Sequence, residues 1–193
     1  LPYFKRLEST DRGDDLYRGR SGPVKVVGGP YAFPVYDAFF EAGSQLGYGW
    51  TDDFNGRRQE GFGIFERNID NGVRASASWA YLRPIRRRAN LTILTDTVVA
   101  RVLFENARAT GIEIVSDGHR RESQDGCEVI LSGGAINTPQ ILLWSGVGPS
   151  DDLRSHDIPV VCDLPGVGRN LQDHYEFYLS WICDAGASLN PHL

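Results

Sequence analysis

Apolar positions recur along the chain with two different spacings, and the spacing predicts the elements. Leu1, Phe4 and Leu7 stand at helical intervals, so residues 1–8 read as the end of an amphipathic helix. The polar and charged stretch 9–21 reads as a surface loop. Gly22 to Gly29 reads as a short strand closed by glycines. The next helix is expected over 34–46. Pro34 opens it, Val35, Ala38, Phe39 and Ala42 form its apolar stripe, and Gly47 ends it. Thr51-Asp52-Asp53-Phe54-Asn55-Gly56 is a turn by composition. Residues 59–67 alternate enough for a strand, and 75–82 read as a short helix carrying Trp79 and Tyr81. The arginine-rich run Arg83 to Arg88 reads as a solvated helix end rather than an anion site.

In the second half, residues 91–94, 98–104 and 109–115 are strand-like, with turns at Asn106 and Asp117-Gly118. Residues 128–131 follow as a fourth strand, giving an antiparallel meander that runs back into a main sheet. The apolar run from Cys127 to Leu131 leads into Ser132-Gly133-Gly134-Ala135 and then an apolar stretch from Gln140 to Trp144. That order predicts a buried strand, a small-residue turn and a short helix. Thr138 would be its N-cap, Pro139 its first residue, and Gly146 or Gly148 its end. Two adjacent glycines at a strand end let another body, often a cofactor, come close to the backbone. A tight turn packing a helix on a sheet is the plainer alternative. Ile158 to Val161 reads as a short strand, Leu164 to Gly168 as a rigid loop, and Tyr175 to Cys183 as a last strand. There is no internal repeat and no low-complexity segment.

The 193 residues suffice for one ordinary domain or parts of two. Hydrophobic residues at 41% and charged residues at 23% indicate a soluble globular chain. The net charge of −5 argues against a nucleic-acid partner, which needs a basic surface. No apolar run approaches the length of a membrane span. The odd count of three cysteines lacks metal-site spacing and fits either the cytoplasm or another reducing compartment or incidental core thiols, and the four histidines form no zinc pattern. The chain holds no methionine and opens on Leu1-Pro2-Tyr3-Phe4, so it reads as an internal fragment or a processed piece.

Gly134-Ala135-x-x-Thr138-Pro139-x-Ile141-Leu142-x-x-Ser145-Gly146-Val147-Gly148 resembles the second signature of the glucose–methanol–choline (GMC) flavin oxidoreductases. The likeness continues through Thr51-Asp52-Asp53-x-Asn55-Gly56-x-x-Gln59-Glu60-Gly61-Phe62-Gly63, a segment similar to choline dehydrogenases. Further blocks match in the same order: Arg74-Ala75-Ser76, Tyr81-Leu82, Asn90-Leu91-Thr92-Ile93, Leu164-Pro165-Gly166-Val167-Gly168 and Asn170-Leu171-Gln172-Asp173-His174. The resemblance implies an α/β fold of mixed α+β character. It consists of an FAD-binding domain with a β-meander and a substrate domain built on an antiparallel sheet. This chain would be its middle portion. Residues 1–90 would be mostly substrate-domain segments, 91–155 an FAD-binding segment of meander, strand and helix, and 156–193 a return to the substrate domain. The family's N-terminal Gly-x-Gly-x-x-Gly and C-terminal catalytic histidine have no counterpart here, so no catalytic residue and no metal ligand is expected.

The same resemblance implies the site. In relatives a meander-strand valine contacts the FAD adenine through its main chain, and Val99 matches it; a buried strand valine is the plainer and compatible role. Gly133, Gly134 and Ala135 match the segment where the backbone runs past the dinucleotide. Glu176 stands where choline-oxidising members set a carboxylate against a trimethylammonium group. That cation has no hydrogen to donate, so Coulomb attraction and aromatic faces must hold it. Tyr175, Phe177, Tyr178 and Trp181 are near in sequence. Asp173-His174 is not an acid–base dyad if it lies on a strand, where neighbours face opposite ways, and His174 reads as structural. The implied function is FAD-dependent oxidation of a choline-like primary alcohol to the aldehyde, with a small-molecule alcohol and the remainder of the enzyme as partners. Other GMC chemistry, in the photodecarboxylase or hydroxynitrile lyase branches, or an inert fragment without flavin, are the alternatives.

Overall fold

The computed structural model describes residues 1–29, 34–124 and 128–180, in two compact units, Leu1–Thr92 with Ser180, and Ile93–Leu179. The first unit opens with α1 (Pro2–Leu7), as expected, although Leu1, Phe4 and Leu7 are exposed. Two short pairings follow. β1 (Glu8–Ser9) runs parallel to β2 (Val24–Lys25), and β3 (Val27–Gly28) runs antiparallel to a distant β4 (Glu66–Arg67). The single strand expected over 22–29 is therefore split at Val26, whose amide donates to the Ser9 carbonyl at 3.0 Å.

α2 (Pro34–Gln45) ends in the way its sequence demands. Gly47 takes φ +86°, its amide donates to Ser44, and that of Tyr48 to Gly43, the two bonds of a Schellman cap. The predicted stripe of Val35, Ala38, Phe39 and Ala42 is exposed. The buried point of the helix is Gly43, where an added Cβ would meet the Phe62 ring at 2.8 Å. The ring takes the place a side chain would fill. Of the strand expected over 59–67, only Glu66–Arg67 pairs as a strand, with a lone bridge between Trp50 and Phe62 further back. β5 (Ile69–Asp70) and β6 (Val73–Arg74) form a hairpin closed by Asn71-Gly72, both at positive φ. The helix near Trp79 is a π-helical turn, Ser78–Leu82, that runs into α3 (Arg83–Ile85). The Arg83 guanidinium lies 3.6 Å over the Trp79 ring, and Arg86, Arg87 and Arg88 are exposed, as a solvated end requires.

In the second unit the meander is present with one strand exchanged. β7 (Thr97–Glu105), β8 (Arg108–Ser116) and β9 (His119–Gln124) pair in sequence order, all antiparallel. Asn106, Ala107, Asp117 and Gly118 supply the left-handed turn conformations. β9 reads His-Arg-Arg-Glu-Ser-Gln and has no apolar period, so the sequence does not announce it. The strand expected at 128–131 is absent, and so is one at 91–94. Ile130 is 78% exposed, because no described strand lies beside it to complete a ladder; Cys127 lies outside the described residues. Val102 and Ile114 of the meander are buried, as are Val147 and Leu153.

The helix after Ala135 begins earlier than expected. α4 spans Gly134–Trp144 with Gly133 as N-cap residue, so Thr138 and Pro139 lie inside it. The Thr138 hydroxyl still caps, accepting from the Gly133 amide at 2.9 Å. Pro139 stands inside the helix, beyond the four amides that lack intrahelical acceptors, so it removes a bond that would have run to the Ala135 carbonyl. Gly146 at φ +81° ends the helix. β10 (Val147–Gly148) and α5 (Ser150–Ser155) follow, and β10 pairs in parallel with β11 (Cys162–Asp163). The strand expected at 158–161 is therefore displaced to 162–163. Leu164 to Gly168 is a tight turn, with Val167 donating to the Leu164 carbonyl at 3.1 Å. Residues 175–180 are exposed and form no ladder, contrary to the strand expected from 175, and Trp181 to Cys183 lie outside the described residues.

Candidate functional site

Two elements that pack together in the second unit carry most of the expected site. At the start of α4, Gly133, Gly134 and Ala135 are exposed. Gly134 sits at φ +86°, and an added Cβ there would meet no heavy atom within 4 Å. It is glycine for its backbone angle, and the space in front of it is open. Gly133 is tighter: an added Cβ would stand 3.2 Å from the Asn137 Cβ and 3.3 Å from the Thr138 amide. Helix starts leave amides without intrahelical acceptors, and the first turn of α4 carries no acidic residue. An electron-rich dinucleotide could thus approach this backbone without meeting a negative side chain, so the residues present fit the group that the sequence implies.

Val99 lies on β7, an edge strand of the meander, and is half-buried opposite Ile114. The register slips between Val99 and Arg101, leaving Ala100 as the extra residue of a β-bulge. A bulge interrupts the ladder and bends the strand, so main-chain groups there are released from pairing. That suits a strand asked to offer backbone to a ligand.

Three residues further on, the Val102 amide donates to the Ser145 hydroxyl at 2.8 Å, in a buried contact. Ser145 Oγ in turn donates to the Ile141 carbonyl at 2.5 Å. Ser145 is 6% exposed. Sequence reasoning passed over it as one constrained position among many. Its small hydroxyl beside a helix-ending glycine was the available sign.

Glu176 lies in the exposed segment of the same unit, apart from any helix or strand. Its Oε2 accepts from Tyr178 Oη at 2.5 Å, and that bond raises the Tyr178 pKa. Tyr175 and Phe177 meet edge to face at 5.0 Å. The carboxylate is therefore held by one of the expected aromatic residues, Tyr178, while Trp181 lies outside the described residues. His174 does not take a structural place: its side chain is 97% exposed, 3.8 Å from Asp173, on backbone that is not a strand. Lacking a sheet neighbour, this stretch has nothing to pack the ring against.

A further cluster in the first unit escaped the sequence reading. Arg18, placed in a supposed surface loop, is 1% exposed. It bonds Glu8 through Nε and Nη2 at 2.9 and 3.0 Å, Asp53 at 2.7 Å and Glu66 at 2.8 Å. The hydrogen bond to Glu8 does most to raise the Arg18 pKa; burial opposes it, and Glu66 and Asp53 raise it further. Burial pushes the Glu8 carboxyl up, but hydrogen bonds from Arg18 and the Gly19 amide hold it below its ordinary value. Among the described residues no group of His, Cys, Asp and Glu is arranged to hold a metal ion, and no helix is long and apolar enough to cross a membrane.

The GMC oxidoreductase family model matches residues 1–176. The chain belongs to the GMC oxidoreductase family. Among curated GMC relatives, it is 49% identical over 190 residues to the mitochondrial choline dehydrogenase of Mus musculus, covering 98% of this chain and 32% of that protein. It is 47% identical over 195 residues to the oxygen-dependent choline dehydrogenase of Staphylococcus xylosus, covering 100% of this chain and 35% of that one. The chain therefore spans about a third of the length of the curated relatives it matches. Among solved structures, pyridoxine 4-oxidase from Mesorbium loti superposes with a TM-score of 0.81 at 34% identity, over 90% of this chain and 34% of that one. An FAD-dependent oxidoreductase from Chaetomium thermophilum gives 0.83 at 30% identity, over 90% and 32%.

Proposed function

We propose that this GMC chain forms the central part of an FAD-dependent oxidoreductase that converts a choline-like primary alcohol to its aldehyde. The observation that carries the reading is near-half identity, along essentially the whole chain, to choline dehydrogenases from a mitochondrion and a bacterium. Identity to the two solved structures, one of them a pyridoxine 4-oxidase, is lower, at 34% and 30%. Residues 1–90 mostly belong to substrate-domain segments, 91–155 to the FAD-binding segment, and 156–193 return to the substrate domain.

FAD, when bound, supplies the acceptor for the hydride that leaves the alcohol carbon. Val99 and Gly133 to Ala135 give main chain to its nucleotide part, supported by the bulge at Ala100 and the open face at Gly134. Glu176 recognises the quaternary ammonium. Its second oxygen remains available when Tyr178 holds the first, and Tyr175 and Phe177 offer ring faces. The remaining length seen in the relatives covers the apolar surface that this chain exposes.

The test compares Glu176→Gln with the parent in the full-length protein that carries this segment. The Michaelis constant for choline should rise about tenfold, a change of ~1.4 kcal/mol, while an uncharged primary alcohol of similar size is oxidised as before. An unchanged preference for choline removes Glu176 from the substrate site.

A further inference from the structure

We infer that Ser145 is a positioning residue for the flavin nucleotide, setting β7 against α4 so that their two main-chain surfaces face one ligand; this rests on the FAD reading above. The hydroxyl touches neither the expected adenine position nor the glycine turn. It acts through two backbone groups. One is the Val102 amide, three residues beyond Val99 on the same strand, and the other is the Ile141 carbonyl, on the helix whose first residues are Gly134 and Ala135.

The ladder cannot do this work on β7 by itself. Its partner β8 lies on one side only, and the slip between Val99 and Arg101 breaks the pairing just beside Val99. A bulged edge strand is fixed by whatever holds its open side. Here that is the bond from the Val102 amide, made in a buried setting. The helix side is equally determined. The Ser145 amide donates to the Ile141 and Leu142 carbonyls, and Gly146 follows at φ +81° with an added Cβ only 2.3 Å from the Pro159 carbonyl oxygen. Ser145 cannot drift, because the chain around it has no room to do so. A hydroxyl serves both groups at once, accepting from an amide and donating to a carbonyl, and a methyl serves neither. Removing it leaves a buried amide unpaired, which is the costly kind of loss.

The experiment uses the full-length protein stripped of flavin, with FAD titrated back and followed by flavin fluorescence. Ser145→Ala should weaken FAD binding about tenfold. Ser145→Cys, whose thiol accepts more weakly at similar volume, should fall between it and the parent. Leu153→Ala is the control. Leu153 is 1% exposed in α5, so its truncation lowers thermal stability while FAD affinity stays within about twofold. Parent-like FAD affinity in Ser145→Ala overturns the inference. So does a series in which affinity merely follows the melting temperature across all three variants, because that is a structural role only. A parent protein that takes up no FAD overturns the flavin reading itself, and is told apart by being read before any variant.

Discussion

Arg18 shows how far one side chain can depart from the character of its segment. The sequence around it, Asp14-Asp15-Leu16-Tyr17-Arg18-Gly19, is polar, and polar runs read as loops. What the pattern could not reveal is that Glu8, Asp53 and Glu66 arrive from elsewhere to neutralise the guanidinium. One cation among three carboxylates makes the pairing unforgiving. Arg18→Met should destabilise the protein by about 3–5 kcal/mol, because it strands buried negative charge rather than deleting a pair. The sign of the pH dependence follows from Glu8. Its folded pKa lies below the unfolded one, so its contribution is complete above the ordinary carboxylate range and is lost as pH falls through the folded value. Denaturant melts of parent and Arg18→Met should therefore converge at acid pH. A gap that persists there assigns the role of Arg18 to packing by its stem. Glu176 is the opposite case: its nearness in sequence to aromatics is legible, but the Tyr178 hydroxyl on its carboxylate is seen only in the fold.

At the scale of elements, local rules carried through wherever the chain itself supplies the partner. α2 stops at Gly47, and the meander turns at Asn106 and at Asp117-Gly118, because those residues adopt left-handed backbone at little cost. The failures share a cause as well. Residues 91–94, 128–131 and 175–180 have strand-like composition but no adjacent strand among the described residues. β9 is the converse, a polar strand with a partner. The start of α4 was misread because Thr138-Pro139 resembles an N-cap and first residue, while Gly133-Gly134 supplied the actual entry. The two positive-φ glycines, one opening α4 and one just beyond its end, give a paired prediction. Gly146→Ala combines left-handed strain with a Cβ 2.3 Å from the Pro159 oxygen, so it should cost well over 2 kcal/mol. Gly134→Ala meets only the strain, roughly 1–2 kcal/mol, yet it should weaken FAD binding, because its methyl projects into the open face. Thermal melts and FAD titration on the same samples separate these effects. Equal stability losses, or unaltered FAD affinity in Gly134→Ala, would contradict the assignment of that face.

For the whole molecule, the exposed apolar side chains are the telling feature. Among the described residues of the second unit, Leu94, Val98, Ile130, Ile136 and Trp144 are each more than half exposed. Helices and strands that bury so little are stabilised by further protein, and the relatives are about three times as long as this chain. The isolated 193 residues should consequently be colourless and prone to associate, and the full-length protein yellow. A chain that retains flavin near stoichiometry on its own would show that main chain from this segment suffices. The motif blocks made the GMC likeness legible because backbone constraints, not side-chain chemistry, fix their glycines and prolines. Which surfaces lie open could not be read, since burial depends on the partner rather than on the segment.

The most direct measurement is anaerobic addition of choline to the flavin-loaded full-length protein, followed in the visible spectrum. Bleaching of the oxidised flavin band, with one betaine aldehyde formed per flavin and a weaker response in Glu176→Gln, is the result expected. An unchanged spectrum with choline, in a protein whose flavin is bleached by another class of alcohol, would contradict the choline assignment and leave Glu176 without its role.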